Sequence, residues 1–143
     1  MNASLIARIL GLLFIVTAVA GVIPWIAAPA PFDAQVVTLD TEYRLIFGIF
    51  PVNIVSDIAH LLLGIWGVVA GLRFGSALFY CRCVVWFALV LVILGAIPIT
   101  NVAFGVAPLY GWDIAFNLFA AVIAALGGYG RGSIRPEAQA PSA

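Results

Sequence analysis

Apolar residues run along this chain in four long blocks, separated by short segments rich in proline, glycine or charge. A helix needs about 20 predominantly apolar residues to cross a hydrocarbon core. The blocks therefore predict four transmembrane helices, over about residues 5–26, 47–72, 81–100 and 109–128.

The blocks are related in pairs. Arg8, Gly21 and Pro24 of the first recur with identical spacing as Arg82, Gly95 and Pro98 of the third. "DIAH" from Asp57 aligns the second with "DIAF" from Asp113 in the fourth, and the two blocks end near Gly71 and Gly127. The chain reads as two tandem helical hairpins. With two spans per unit, both units enter the membrane the same way, so an axis along the membrane normal relates them. The predicted fold is an all-α integral membrane protein: a pseudo-twofold four-helix bundle in one domain, 1–130, with a flexible cytoplasmic tail at 131–143. The first hairpin carries an insertion at about 27–46. Here "TLDTEYRLIFGIF" predicts a short amphipathic helix at the outer interface, capped at Thr38 or Asp40. It would form a lid over the bundle mouth or a place for a partner to dock.

On a helical projection Asp57, His60, Gly64, Gly67 and Gly71 share one narrow face, as do Asp113, Asn117, Ala120, Ala124 and Gly127. Small residues let membrane helices approach closely, where packing and hydrogen bonds take over from the hydrophobic effect. The second and fourth spans are therefore expected to meet along these stripes. That would gather Asp57, His60, Asp113 and Asn117, with Asn53 nearby, into a polar cluster in the outer half of the bundle. Counted from Pro51, Asp57 would lie roughly 10 Å along its helix. A carboxylate in a membrane costs about 2.5–3.5 kcal/mol at the centre on insertion scales and less near the interface. It must be paired, protonated or hydrated. His60, one turn on, is a suitable ion-pair or hydrogen-bond partner, and Asn117 can both donate and accept. Two readings follow: a polar fastening between the hairpins, or a functional site.

Composition supports the membrane assignment: 65% of residues are hydrophobic and 8% charged. Six arginines with no lysine balance six acidic residues, so no basic face exists to neutralise a nucleic-acid backbone. The lipid bilayer is the expected partner and nucleic acid is not. Arg8, Arg73, Arg82, Arg131 and Arg135 fall on one side of the predicted spans and Arg44 alone on the other. The positive-inside rule then places both termini and the middle loop of a multi-pass chain in the cytoplasm. The first block also has features of a cleavable signal, including small residues in "VTAVAG", but recurrence of its pattern in the third block favours a retained span. Most Trp and Tyr residues fall near span ends, as in an aromatic belt. Trp66 lies deeper, six residues after His60, as a candidate lid over any site there.

Little other chemistry is legible. "CRC" at 81–83 lacks zinc or redox spacing and reads as two free thiols. No nucleotide-binding loop, zinc-protease histidine pair or nucleophile elbow is present. No metal and no cofactor is expected, although His60, the sole histidine, could serve as axial ligand to haem or chlorophyll, with its neighbouring glycines leaving room for a macrocycle. A bundle this small is expected to be filled by its own side chains, which argues against an internal substrate cavity.

"FPVNIVSDIAHLLLGIWG", followed by an arginine-bearing loop, and "PLYGWDIAFNL" resemble a bacterial family catalogued as a domain of unknown function, number 4383. The resemblance covers most of the chain and rests on Asn53, Ser56 with Asp57, His60 and Gly64. The family pattern has a His-Asn pair at Ser56-Asp57 and a histidine near Asn117, and these departures weaken a metal or haem site here. The resemblance implies a small four-helix inner-membrane protein and no activity. The leading expectation is a non-enzymatic accessory or scaffold subunit, associating with itself as a homo-oligomer or with a larger membrane complex. A proton- or ion-coupled channel or transporter using Asp57, His60 and Asp113 is the second reading, and a haem- or chlorophyll-binding subunit the third.

Overall fold

The structure, a computed structural model, describes residues 2–39 and 43–134. It is mostly helical, with four α-helices: α1 (Ala3–Val22), α2 (Ile54–Ala70), α3 (Phe74–Ala96) and α4 (Trp112–Gly128). Two of them, α1 and α3, are long and apolar enough to cross a membrane; α2 and α4 are equally apolar but 17 residues each. The expected cap at Asp40 and residues 135–143 of the tail expected at 131–143 lie outside the described residues, while Arg131–Ser133 form a short 3-10 turn against the ends of α4 and α1.

Local chemistry sets the helix ends. Asn2 caps α1 by accepting a hydrogen bond from the Leu5 amide. Both α1 and α3 stop one residue short of a proline: Ile23 before Pro24 and Ile97 before Pro98 are extended, because the proline ring disfavours helical geometry in the residue before it. Two arginines occupy matching places at the other end of the molecule. Arg8 Nε donates to the Gly71 carbonyl at the end of α2, and Arg82 Nε to the Gly128 carbonyl at the end of α4. Each satisfies a carbonyl the helix leaves open and places positive charge at the negative end of the dipole.

The insertion departs from expectation. Instead of an interfacial helix, it forms a three-stranded antiparallel sheet, β1 (Ala27–Pro29), β2 (Arg44–Ile46) and β3 (Phe50–Val52), in spatial order 1-2-3. Leu45 pairs with Ala28 on one side and Pro51 on the other. Phe47 and Gly48 have φ of 51° and 73° in the three-residue connection between β2 and β3, which is closed by the Ile49 amide donating to the Ile46 carbonyl at 3.1 Å. Pro51 cannot continue a helix ladder and forces Phe50 to be extended, so α2 begins at Ile54 rather than near 47. Pro29 and Pro51 both sit on edge strands, where a missing N–H is tolerated. At its other boundary α3 starts earlier than expected, at Phe74, because nothing between 74 and 80 breaks a helix.

The helices pack in two close antiparallel pairs, α1 with α2 and α3 with α4, and α1 also touches α3 and α4. This corrects the expected meeting of the α2 and α4 stripes. Gly64 lies against Gly11 and Ile15 of α1, Gly67 against Ala7 of α1 and Tyr80 of α3, and Gly71 against Ser4 and Arg8. On the other stripe Gly127 faces Cys81 of α3 and Ile6 of α1, while Ala120 and Ala124 enter the main core with Ile6, Leu10 and Val84. Each stripe thus packs chiefly onto the helix before it in its own hairpin. A smaller apolar cluster, Ala27, Ile46 and Val52, fixes the sheet over the end of α1.

Candidate functional site

The polar residues singled out in the sequence are all buried at the sheet end of the helices. They divide into two neighbouring groups. Asn53 is fully buried and caps α2 in a reciprocal box: its Oδ1 accepts from the Ser56 amide, and Ser56 Oγ accepts from the Asn53 amide, both at 2.9 Å. Its Nδ2 donates to the Val106 carbonyl at 2.7 Å, which ties the start of α2 to the loop before α4. Replacing Asn53 with alanine removes the cap and orphans that carbonyl. The expected loss is about 2 kcal/mol of stability, measurable by denaturant unfolding of the detergent-solubilised protein.

Asp57 lies in the first turn of α2, with Gly21 of α1 close beside its carboxylate; a Cβ at position 21 would collide with Oδ1. Its Oδ2 accepts from Arg44 Nη2 at 3.0 Å, an ion pair joining the helix to β2. The helix dipole also favours a negative charge there. Asp57 is thus paired with Arg44 and not with His60. Sequence reasoning missed this pair, although the one arginine on the outer side offered a signal.

His60 belongs to the second group. Its ring stacks on Phe14 at 5.8 Å and meets Phe116 edge-on at 5.6 Å, with Phe50 at 6.4 Å. Its Nδ1 is buried with no hydrogen-bond partner among the described residues. Trp66, expected as its lid, packs instead on Tyr80 and Phe79. Asp113 and Asn117 sit one turn apart on α4, with Asn117 Nδ2 donating to Asp113 Oδ2 at 2.8 Å and to its carbonyl at 2.9 Å. His60, Asp113, Asn117 and Ser56 line one cavity of about 130 Å³, whose other walls are apolar side chains of α1, α2, α3 and the loop before α4. This corrects the expectation of a completely filled bundle. The reason is geometric: each hairpin closes tightly on itself, and α2 touches α3 only sparsely.

The space beside Gly64 and Gly67, which a macrocycle at His60 would need, is taken by α1 and Tyr80. Among the described residues no three His, Cys, Asp or Glu side chains gather as a metal site requires. Cys81 and Cys83 are free, Cys81 being buried against Gly127.

The model of the family described as domain of unknown function DUF4383 matches residues 4–129. The chain belongs to DUF4383. The DUF4383 region takes in nearly the whole of the helical structure, the sheet, the Arg44–Asp57 pair and the cavity. No curated protein and no solved structure matches the chain.

Proposed function

We propose that this DUF4383 protein is a multi-pass protein of the bacterial inner membrane, with all four helices spanning and both termini cytoplasmic. It acts as a non-enzymatic accessory or scaffold subunit that associates with itself or with a larger membrane complex. The observation that carries this reading is the distribution of side chains. Large apolar residues face outward on every helix, for example Leu12, Leu62, Val90 and Val122, while Asn53, Asp57, His60, Asp113 and Asn117 are buried inside. Lipid would cover the first set, since the bilayer core is as apolar as the side chains.

Length is compatible with this placement. A helix of 17 residues extends about 26 Å, close to a hydrocarbon thickness of about 30 Å, and flanking residues absorb so small a mismatch. The matching Arg8 and Arg82 caps, at the same end of the two hairpins, support the tandem repeat and the cytoplasmic side together.

An accessory role is supported by the use of the polar groups. Asp57 is engaged by Arg44, Asn53 by the cap and Val106, and Asn117 by Asp113. The first two of these contacts fasten the sheet and the two hairpins to one another, and the third links adjacent turns of α4. The sheet end also exposes Trp25, Phe32, Val36 and Leu39, a set of apolar side chains suited to contact with a membrane partner. The channel and haem readings gain nothing from these contacts.

Crosslinking in native membranes followed by mild extraction tests the subunit role. A stoichiometric partner or a defined homo-oligomer is the expected product. A monodisperse monomer from which no crosslinked species can be recovered contradicts it.

A further inference from the structure

We propose that the cavity between α2 and α3 binds the head of a lipid-soluble molecule, a single six-membered ring carrying a carbonyl or hydroxyl oxygen, with His60 as its hydrogen-bond partner. The cavity opens at its rim and measures about 130 Å³, slightly below the roughly 150 Å³ of an apolar protein cavity that holds benzene. Its walls suit a ring: Val55, Ala59 and Leu63 on α2 face Phe87, Ala88 and Leu91 on α3.

Its floor is polar. His60 is 7% exposed and lines the cavity, and its buried Nδ1 has no partner among the described residues. Neutral imidazole donates at one nitrogen and accepts at the other, so the tautomer can answer either a carbonyl or a hydroxyl. Asp113 and Asn117, already hydrogen-bonded to each other, stand on the same floor. An unfunctionalised hydrocarbon would leave this floor unmatched, and a strongly charged group would find no arginine among the lining residues.

The rim supplies the route. Phe87 is 45% exposed and Leu63, Leu91 and Leu94 are partly exposed. A ligand tail would leave between α2 and α3 into the acyl region. The route of entry rests on the membrane location proposed above, whereas binding itself does not. A measurement in detergent therefore separates failure of the one from failure of the other.

His60 is the only histidine, so the imidazole 15N resonances of the labelled full chain report on it without assignment ambiguity. The protein in mild detergent is titrated with 4-decylphenol, with 2-decyl-1,4-benzoquinone and with decylbenzene. The expected result is a saturable shift of the His60 imidazole 15N resonances with the phenol, the quinone or both, at an affinity at least about tenfold above that of decylbenzene; tenfold corresponds to about 1.4 kcal/mol. Whichever oxygenated probe binds identifies the head group as hydroxyl or carbonyl. Ala59→Leu, which fills the cavity from its half-buried wall, is expected to weaken the shift. Equal response to all three probes, or none in the folded wild-type protein, overturns the proposal.

Discussion

Replacing Arg44 with methionine is expected to destabilise the protein by about 3 kcal/mol, the lower end of the range for breaking a buried ion pair by removing one partner. Asp57 is nearly inaccessible, and the Arg44 side chain is 19% exposed against 4% for Asp57. Without the guanidinium the carboxylate stays in place beside Gly21, shielded from water. Asp57→Leu in the same chain removes the carboxylate as well. The double variant Arg44→Met, Asp57→Leu is therefore expected to recover most of the loss, because an apolar pair of similar volume often matches a buried ion pair. Denaturant unfolding followed by tryptophan fluorescence, run as a double-mutant cycle, measures the coupling. A single variant as stable as wild type would show that β2 and α2 are not held by this contact.

Gly11→Val is the second large effect. A Cβ at Gly11 would lie 2.6 Å from the Val68 amide nitrogen and 2.7 Å from the Gly64 carbonyl oxygen. Both are backbone atoms of α2 and cannot turn aside as a flexible side chain can. The helices must separate along this contact, and the contacts of Ala7 with Gly67 and of Ile15 with Gly64 are strained with it. Overpacking of this kind typically costs 1–3 kcal/mol, occasionally more, and a rigid backbone neighbour puts this site at about 3 kcal/mol. Gly75→Ala is the control. It lies in the first turn of α3 with nothing within 4 Å of an added Cβ, so a change of no more than about 1 kcal/mol, in the stabilising direction, is expected.

These two contacts also show what could be read from the chain. The periodicity of Gly64, Gly67 and Gly71 identified a small-residue face correctly as a face, because helical spacing determines which side chains align. It does not determine which neighbour they meet. The partner proved to be α1, whose own buried small residues, Ala3, Ala7, Gly11, Ala18 and Gly21, are interspersed with Ile6, Leu10 and Phe14 on the same side. The burial of Asp57, His60, Asp113 and Asn117 was legible from their isolation among apolar residues. Their division was not, because the Arg44–Asp57 pair exists only once the insertion has folded into a sheet. Strands of three residues leave no periodicity to detect. The available signals were local: Gly48 inside an apolar run, Pro51 barring a helix, and Asn53 with Ser56 three residues later marking where α2 could begin.

The central claim is that all four helices cross a bilayer with the arginine-capped end in the cytoplasm. Single cysteines at Phe32 and at Gly75, introduced separately into a chain carrying Cys81→Ala and Cys83→Ser, test it with a membrane-impermeant maleimide applied to intact spheroplasts and to opened membranes. The account requires Phe32→Cys to react in intact spheroplasts and Gly75→Cys to react only once the membrane is opened. Reaction of Gly75→Cys in intact spheroplasts, or identical labelling of both positions before opening, would contradict it.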